Sequence, residues 1–418
     1  MILSQKVSRE GRLAACIVCG TKQVRAFLNL GRTALANKFL TQEECARPEP
    51  TFPLEVGFCT SCSHVQLMDH VPPSAMFTDY LYISSASDAL AAHLVKLSDG
   101  VVGRFRLGPS DLVMDIGCND GTLLKGFQRH GVKTLGVDPA VNLAPFTDAS
   151  GIERFTGFFN SQTARHIVAR WGKAAAITAT NTFPHIPDLE DFIKGVRSAL
   201  APGGVFVIEA HYLQDLLEQG AFDTIYHEHV SYWALRPMQA AFERLGMHIV
   251  DVERIPFHHG QLRVFVQREG EGAVQPSVAG ILEEEKDKGL DRFDIFQRFA
   301  ERTYRLKEKL WKVLNDLLVR GKRLAGYGAP AKGNTLLSFL GMGPEVLKFI
   351  ADRSPLKQGR YTPGTHVPVV PPERLLEDQP DYVLLLAWNF ADEVLRQQDE
   401  YRRRGGRFIL PFPEAKII

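Results

Sequence analysis

Between Asp111 and Asp138 the chain reads strand, glycine loop, helix, strand, acid, and few folds accept that order. Asp111-Leu112-Val113-Met114-Asp115-Ile116 is a short apolar strand, Gly117-Cys118-Asn119-Asp120-Gly121 a loop, and Thr122 to His130 a helix. Thr134 to Asp138 forms the next strand and ends in an acid 21 residues after Gly117. Such a unit predicts a parallel α/β sheet with a ligand beyond the carboxyl ends of its strands. Gly117 and Gly121 permit a tight turn and a close backbone approach, and Asp138 is placed to hydrogen-bond a ribose diol. A dinucleotide loop reads GxGxxG, whereas this one is GxxxG and carries Asp115, Asn119 and Asp120 around it. An acidic loop repels phosphates and suits a cationic nucleoside, so the residues favour S-adenosylmethionine over NAD.

Further along, the strand–helix alternation continues. Phe159, in Gly157-Phe158-Phe159, is a candidate to pack on adenine. Strand Ala174 to Thr180 runs into Asn181-Thr182-Phe183-Pro184-His185, which places Asn181 and His185 at a carboxyl strand end. A turn from Leu200 feeds strand Val205 to Glu209, and after it comes Tyr226-His227-Glu228-His229. One phenol, two imidazoles and a carboxylate in succession can donate, accept or move protons near neutral pH. In an extended segment neighbours alternate, so His227 should point away from its companions. His258 and His259, just before strand Gln261 to Gln267, are expected at a strand edge without a proton role.

At 418 residues the chain exceeds a single core and implies two or three domains. A formal net charge of +1 without a long basic run argues against nucleic acid as a partner. The apolar stretch Tyr382 to Trp388 is too short to span a bilayer, and the N-terminus lacks the apolar core of a secretory signal, so a cytoplasmic protein is expected. Four of the six cysteines stand in two CxxC knuckles, Cys16–Cys19 and Cys59–Cys62. Each knuckle brings two thiolates to one cation, and four thiolates complete a closed tetrahedron, the structural zinc arrangement. His64 is expected as a neighbour of that site, and Cys45 and Cys118 as ordinary small residues.

The C-terminal half opens with a charged helical stretch from about Val278 to Lys322, whose apolar stripe includes Phe296, Phe299, Leu306, Leu310, Val313, Leu314 and Leu317. A second nucleotide-type unit follows: strand Arg323 to Tyr327, a loop from Gly328 to Asn334, and a helix beginning at Thr335. Lys332 adds a cation where a phosphate would meet the helix start. Strands at Leu347 to Ala351, Tyr382 to Leu386 and Arg407 to Leu410 complete the sheet. The expected organisation is α/β throughout: a zinc-binding domain over residues 1–75, a central Rossmann-like domain over 76–277, and a linker helix with a C-terminal Rossmann-like domain over 278–418.

Taken in order, the paired knuckles, DIGCNDG, NTFPHIPD, YHEHVSYW and GYGAPAKGNTLL resemble the sugar C-methyltransferases of deoxysugar biosynthesis across nearly the whole chain. Those three-domain enzymes methylate C3 of a nucleotide-linked 4-keto-6-deoxyhexose. The resemblance implies that the middle domain holds S-adenosylmethionine and the C-terminal domain the nucleotide diphosphate, with Tyr327, Lys332 and Asn334 as candidate contacts. It implies His229 as the base at C3, with Glu228 orienting it or holding a hydroxyl. Tyr226 and His185 are candidates to steady the enolate, and Tyr80 to close the pocket from the first domain. A monomer acting on a nucleotide sugar, a thymidine diphosphate one, is the expectation; an NAD-dependent sugar oxidoreductase or epimerase using the C-terminal GxG unit is the alternative.

Overall fold

The computed structural model describes residues 11–257 and 260–418; His258 and His259 lie outside the described residues. Its central sheet has seven strands in the order Met247–Ile255, Gln261–Arg268, Leu200–His211, Ala174–Thr180, Leu112–Ile116, Lys133–Asp138 and Glu153–Thr156. From Leu200–His211 to Glu153–Thr156 all pairings are parallel, while Gln261–Arg268 runs antiparallel to both neighbours. Every residue of Leu112–Ile116 is buried, as a strand covered on both faces requires. Chain order reverses around that strand, which opens the crevice where α/β sheets bind ligands. The strand expected at Val205–Glu209 is longer because pairing to Ala174–Thr180 resumes across the Pro202-Gly203-Gly204 turn.

Near the N-terminus, Val24–Thr33, Phe52–Cys59 and Val65–Leu67 form an antiparallel sheet. Its fourth strand comes from far along the chain: Ser231–Tyr232 pairs with Gln66 and Val65, and the Leu67 amide donates to the Val230 carbonyl at 3.0 Å. The proton-active tetrad is therefore anchored at its C-terminal end to the cysteine-bearing sheet.

The helical stretch is two helices, Pro276–Asp287 and Phe293–Val319. They break at Gly289, whose φ of +73° is left-handed and where a Cβ would meet the Ile295 side chain at 2.9 Å. Phe296, Phe299, Leu306, Leu310, Leu314 and Leu317 of the longer helix are buried. Burying a side chain of this size stabilises the fold by roughly 1.5–3 kcal/mol. Phe296 stacks on Phe58 with ring centroids 4.6 Å apart, and Trp311 donates to the Leu340 carbonyl at 2.7 Å, so one helix ties the first sheet to the helix Ala331–Leu340 of the C-terminal region.

In the C-terminal sheet the order is Val369–Val370, Ile350–Ala351, Leu324–Tyr327, Tyr382–Leu385, Arg407–Leu410 and Lys416–Ile417, with only the last pairing antiparallel. Its first helix starts at Ala331, four residues before the position read from the sequence. Pro330 sits at the N-cap with extended backbone, where its missing N–H costs nothing, so Lys332 and Asn334 lie in the first helical turn and not in a loop. The strand expected at Leu347–Ala351 contracts to Ile350–Ala351. Among the described residues no helix is long and apolar enough to cross a membrane.

Candidate functional site

Cys16, Cys19, Cys59 and Cys62 converge, with all four sulfurs within 4.8 Å of one another. Cys16 and Cys62 lie 3.6 Å apart, as do Cys19 and Cys59. Sulfurs about 2.3 Å from a tetrahedral zinc would be separated by roughly this distance. Each knuckle is closed by a left-handed residue just beyond it, Gly20 at φ +74° and Ser63 at φ +64°. His64 is not a member of the cluster; its Nε2 meets the Ser231 hydroxyl at 3.2 Å, and its ring packs on Trp233. No cysteine of the cluster lines the main cavity, so the centre is structural.

That cavity, about 920 Å³, extends from the crevice of the central sheet to the C-terminal sheet. At its first end stand Asp115, Gly117, Asn119, Asp138, Phe159 and Asn181. Gly117 has φ +78°, and a Cβ there would meet the Thr182 hydroxyl at 2.1 Å, so the NTFPHIPD segment itself demands the glycine. Asp138 accepts from the amides of Asn119 at 2.9 Å and Ala140 at 2.8 Å, with Arg154 at 3.5 Å. Burial raises its pKa, and the two amides and Arg154 oppose the rise. The Thr178 hydroxyl donates to Asp115 at 2.6 Å, while burial pushes this carboxyl up to about 7. Phe159 lies edge-on to Phe192, and Asn181 accepts from the Gln261 amide at 2.6 Å.

The side chain of Asn119, expected to contact the cofactor, is committed elsewhere. Its Oδ1 accepts from the Ser84 amide at 2.9 Å and its Nδ2 donates to the Tyr82 carbonyl at 3.0 Å. Asp120 accepts from the Ser85 amide at 3.0 Å, and Asn142 makes two hydrogen bonds with the backbone of Tyr80. These side chains hold a strap, residues 80–85, against the cofactor loop. The polar residues of the loop, read as ligand contacts, therefore serve in part to hold a second wall of the cavity.

Deeper in, His229 donates from Nδ1 to the Thr224 carbonyl at 2.8 Å, which leaves Nε2 as the acceptor, and the Tyr226 hydroxyl occupies it at 2.9 Å. Burial drives the His229 pKa down to about 4, so the imidazole is neutral. His185 stacks on His229 with centroids 5.1 Å apart and on Phe77 at 5.2 Å; its buried Nε2 has no hydrogen-bond partner. The Glu228 carboxylate makes no hydrogen bond to the His229 ring. It accepts instead from the Tyr80 hydroxyl at 2.9 Å and from the Asn37 amide at 2.8 Å, and burial pushes its pKa up to about 7. His227 turns the other way, meeting the Pro53 carbonyl at 3.1 Å.

At the far end, Tyr327 and Lys332 line the cavity and Asn334 does not. Asn334 is buried and donates to the Ala36 carbonyl at 2.7 Å, so it fastens the C-terminal helix to the first region and is unavailable to a ligand. Among the cavity residues that escaped the sequence are Asn37, His211 and Lys357. Lys357 is buried and donates to the Ala329 carbonyl at 2.8 Å. No motif surrounds any of them; only the fold brings them to the cavity.

Three family models match in succession: a zinc binding domain over residues 16–77, a methyltransferase domain over 90–252 and a C-methyltransferase C-terminal domain over 256–413. C-methyltransferase NovU of Streptomyces niveus is 37% identical over 404 residues, 96% of each chain. A ubiquinone biosynthesis O-methyltransferase of Methylobacterium sp. (strain 4-46) is 24% identical over 37% of this chain and 69% of its own. Among solved structures, magnesium protoporphyrin IX methyltransferase from Synechocystis PCC 6803 with bound SAH covers 43% of this chain and 83% of its own at 12% identity, with a TM-score of 0.34. A close relative spanning almost the full length, with matching domains in the same order, decides between the two cofactors weighed from the sequence: the chain belongs to the zinc-binding, S-adenosylmethionine-dependent C-methyltransferases.

Proposed function

We propose that the enzyme methylates C3 of a nucleotide-linked 4-keto-deoxyhexose, a thymidine diphosphate sugar, through an enolate. One observation supports this above the others: a neutral imidazole with its acceptor nitrogen aimed at a phenol, beside a second imidazole with an unpartnered buried nitrogen. Removing a hydrogen next to a ketone needs a base, and the enolate oxygen needs donors. His229 has the base's tautomer fixed by the Thr224 carbonyl. In the substrate complex the Tyr226 hydroxyl turns from Nε2 to the C4 oxygen, which frees Nε2 for the C3 proton. His185 supplies a second donor to that oxygen. The developing enolate then stabilises the imidazolium, offsetting the low pKa that burial imposes on His229.

Asp138, Gly117 and Phe159 suit the nucleoside of S-adenosylmethionine, which supplies an electrophilic methyl group when bound. Glu228 stands outside the cavity lining; its carboxylate, held by Tyr80 and Asn37, positions both of those side chains in the cavity wall and keeps the strap in place. Lys332, at the first turn of its helix and facing the cavity, is suited to the diphosphate. Incubation with S-adenosylmethionine and a panel of nucleotide 4-keto sugars, read by mass spectrometry and NMR, tests the proposal. A gain of one methyl at C3 supports it; methylation at oxygen, or no methylation of any nucleotide sugar, contradicts it.

A further inference from the structure

The turn Phe222–Thr224 supplies the carbonyl that fixes His229, and the C-terminal sheet holds this turn from the other side. Asp223 is fully buried; Trp388 donates to its Oδ2 at 2.7 Å, and its Oδ1 is buried without a hydrogen-bond partner. The ammonium of Lys332 stands 4.5 Å from the centre of the Trp388 ring and lines the cavity. Phe222 packs edge-on against Phe339 at 5.1 Å and Phe412 at 5.4 Å, so the turn has little freedom of its own. Nothing in the chemistry of C-methylation uses Asp223, yet a fully buried carboxylate with a single side-chain hydrogen bond carries a considerable desolvation cost.

We propose that Asp223 is a positioning residue that couples the grip of Lys332 on an anionic substrate to the orientation of His229, through Trp388 and the Phe222–Thr224 turn. This rests on the assignment of Lys332 to the substrate diphosphate. Burial drives the Lys332 pKa down to about 8, and the negative charge of Asp223 opposes the fall. Burial likewise pushes Asp223 up to about 6, opposed by Lys332 and the Trp388 hydrogen bond. The groups facing Asp223 are Lys332 and Trp388 from the C-terminal region, the Tyr226 phenol, and the amides of its own turn. The negative charge of Asp223 thus helps hold the proton on Lys332 against a burial that favours the neutral amine. When a diphosphate draws the ammonium into the cavity, Asp223 and its turn are the elements on the opposite side of the pull.

Asp223→Asn keeps the shape and the tryptophan contact and removes the charge. Lys332 should then lose its proton at lower pH, moving the alkaline limb of kcat/KM down by about one pH unit. Thymidine diphosphate should bind about tenfold more weakly at pH 8 and nearly normally at pH 6, measured by calorimetry. Trp388→Phe keeps the charge and loosens the turn, so it should lower kcat and leave the alkaline limb in place. S-adenosylmethionine affinity and the melting temperature report whether each variant is folded; should Asp223→Asn not fold, Asp223→Glu with an unmoved alkaline limb and Trp388→Phe with a reduced kcat support the coupling. If Lys332→Met leaves thymidine diphosphate binding unchanged, the assignment of that lysine fails. If Lys332→Met weakens binding but Asp223→Asn, or its replacements, moves neither limb nor kcat, the coupling is wrong and the diphosphate assignment stands.

Discussion

The Tyr226 hydroxyl donates to His229 Nε2 at 2.9 Å, on the one ring nitrogen that can accept a proton. Because Nδ1–H is committed to the Thr224 carbonyl, the phenol caps the acceptor nitrogen of the proposed base, and in the proposed mechanism substrate displaces it. Tyr226→Phe removes the cap and a donor to the enolate together. Its kcat should fall by about 10²–10³-fold, the scale of losing one oxyanion donor, with KM changed far less. A fall confined to KM would show that the phenol serves binding alone.

Glu228 makes stability depend on pH. Its folded pKa of about 7 exceeds the usual carboxylate range because burial disfavours the charge, so the folded protein holds this proton more tightly than the unfolded chain. The stabilisation is complete below about pH 4 and is lost as pH rises through about 7, by up to about 3 kcal/mol. Glu228→Gln should therefore melt closer to wild type at pH 5 and higher than wild type at pH 8, while losing activity. Asp115, also raised to about 7, leaves a smaller dependence of the same sign in the variant. Melting curves at the two pH values test this; a variant less stable than wild type at pH 8 would contradict it.

Much of this architecture was legible in the residues, and the exceptions share a cause. The strand Ala174–Thr180 and the four-cysteine site follow from local pattern: a buried strand must be apolar, and CxxC spacing is set by zinc geometry. Asn334 is a ligand contact by the family resemblance; once the helix starts after Pro330, its side chain donates to the Ala36 carbonyl instead. Asn119 was placed at the cofactor by its loop, yet its side chain binds the strap some 35 residues earlier. Asn37 reaches Glu228 across 191 residues and Asp223 reaches Trp388 across 165, and pairs so distant leave no periodic or spacing signal.

Zinc should be present at about one per chain and held by the four cysteines. Cys59→Ser, at the end of a strand paired to both neighbours in the first sheet, should lower solubility and melting temperature. It should change S-adenosylmethionine affinity little in the protein that remains folded. Elemental analysis without zinc in freshly purified protein would contradict the assignment.

Asp138→Asn should weaken S-adenosylmethionine binding by on the order of thirty- to a hundredfold, about 2–3 kcal/mol. Part of that loss comes from the cofactor loop, because Asp138 also fixes the amides of Asn119 and Ala140. The same variant should therefore loosen the strap that Asn119 holds, seen as faster amide exchange at Ser84. Unchanged donor affinity in calorimetry would remove Asp138 from the cofactor site.

Proton abstraction by His229 is the centre of the proposed mechanism, and solvent deuterium exchange at C3 of a nucleotide 4-keto sugar, without methyl donor, tests it most directly. Wild-type enzyme should exchange that hydrogen. His229→Asn should bind sugar and donor normally, exchange none, and lose about 10²–10⁴-fold in turnover. Exchange at the wild-type rate in His229→Asn would contradict the account and place the base elsewhere in the cavity.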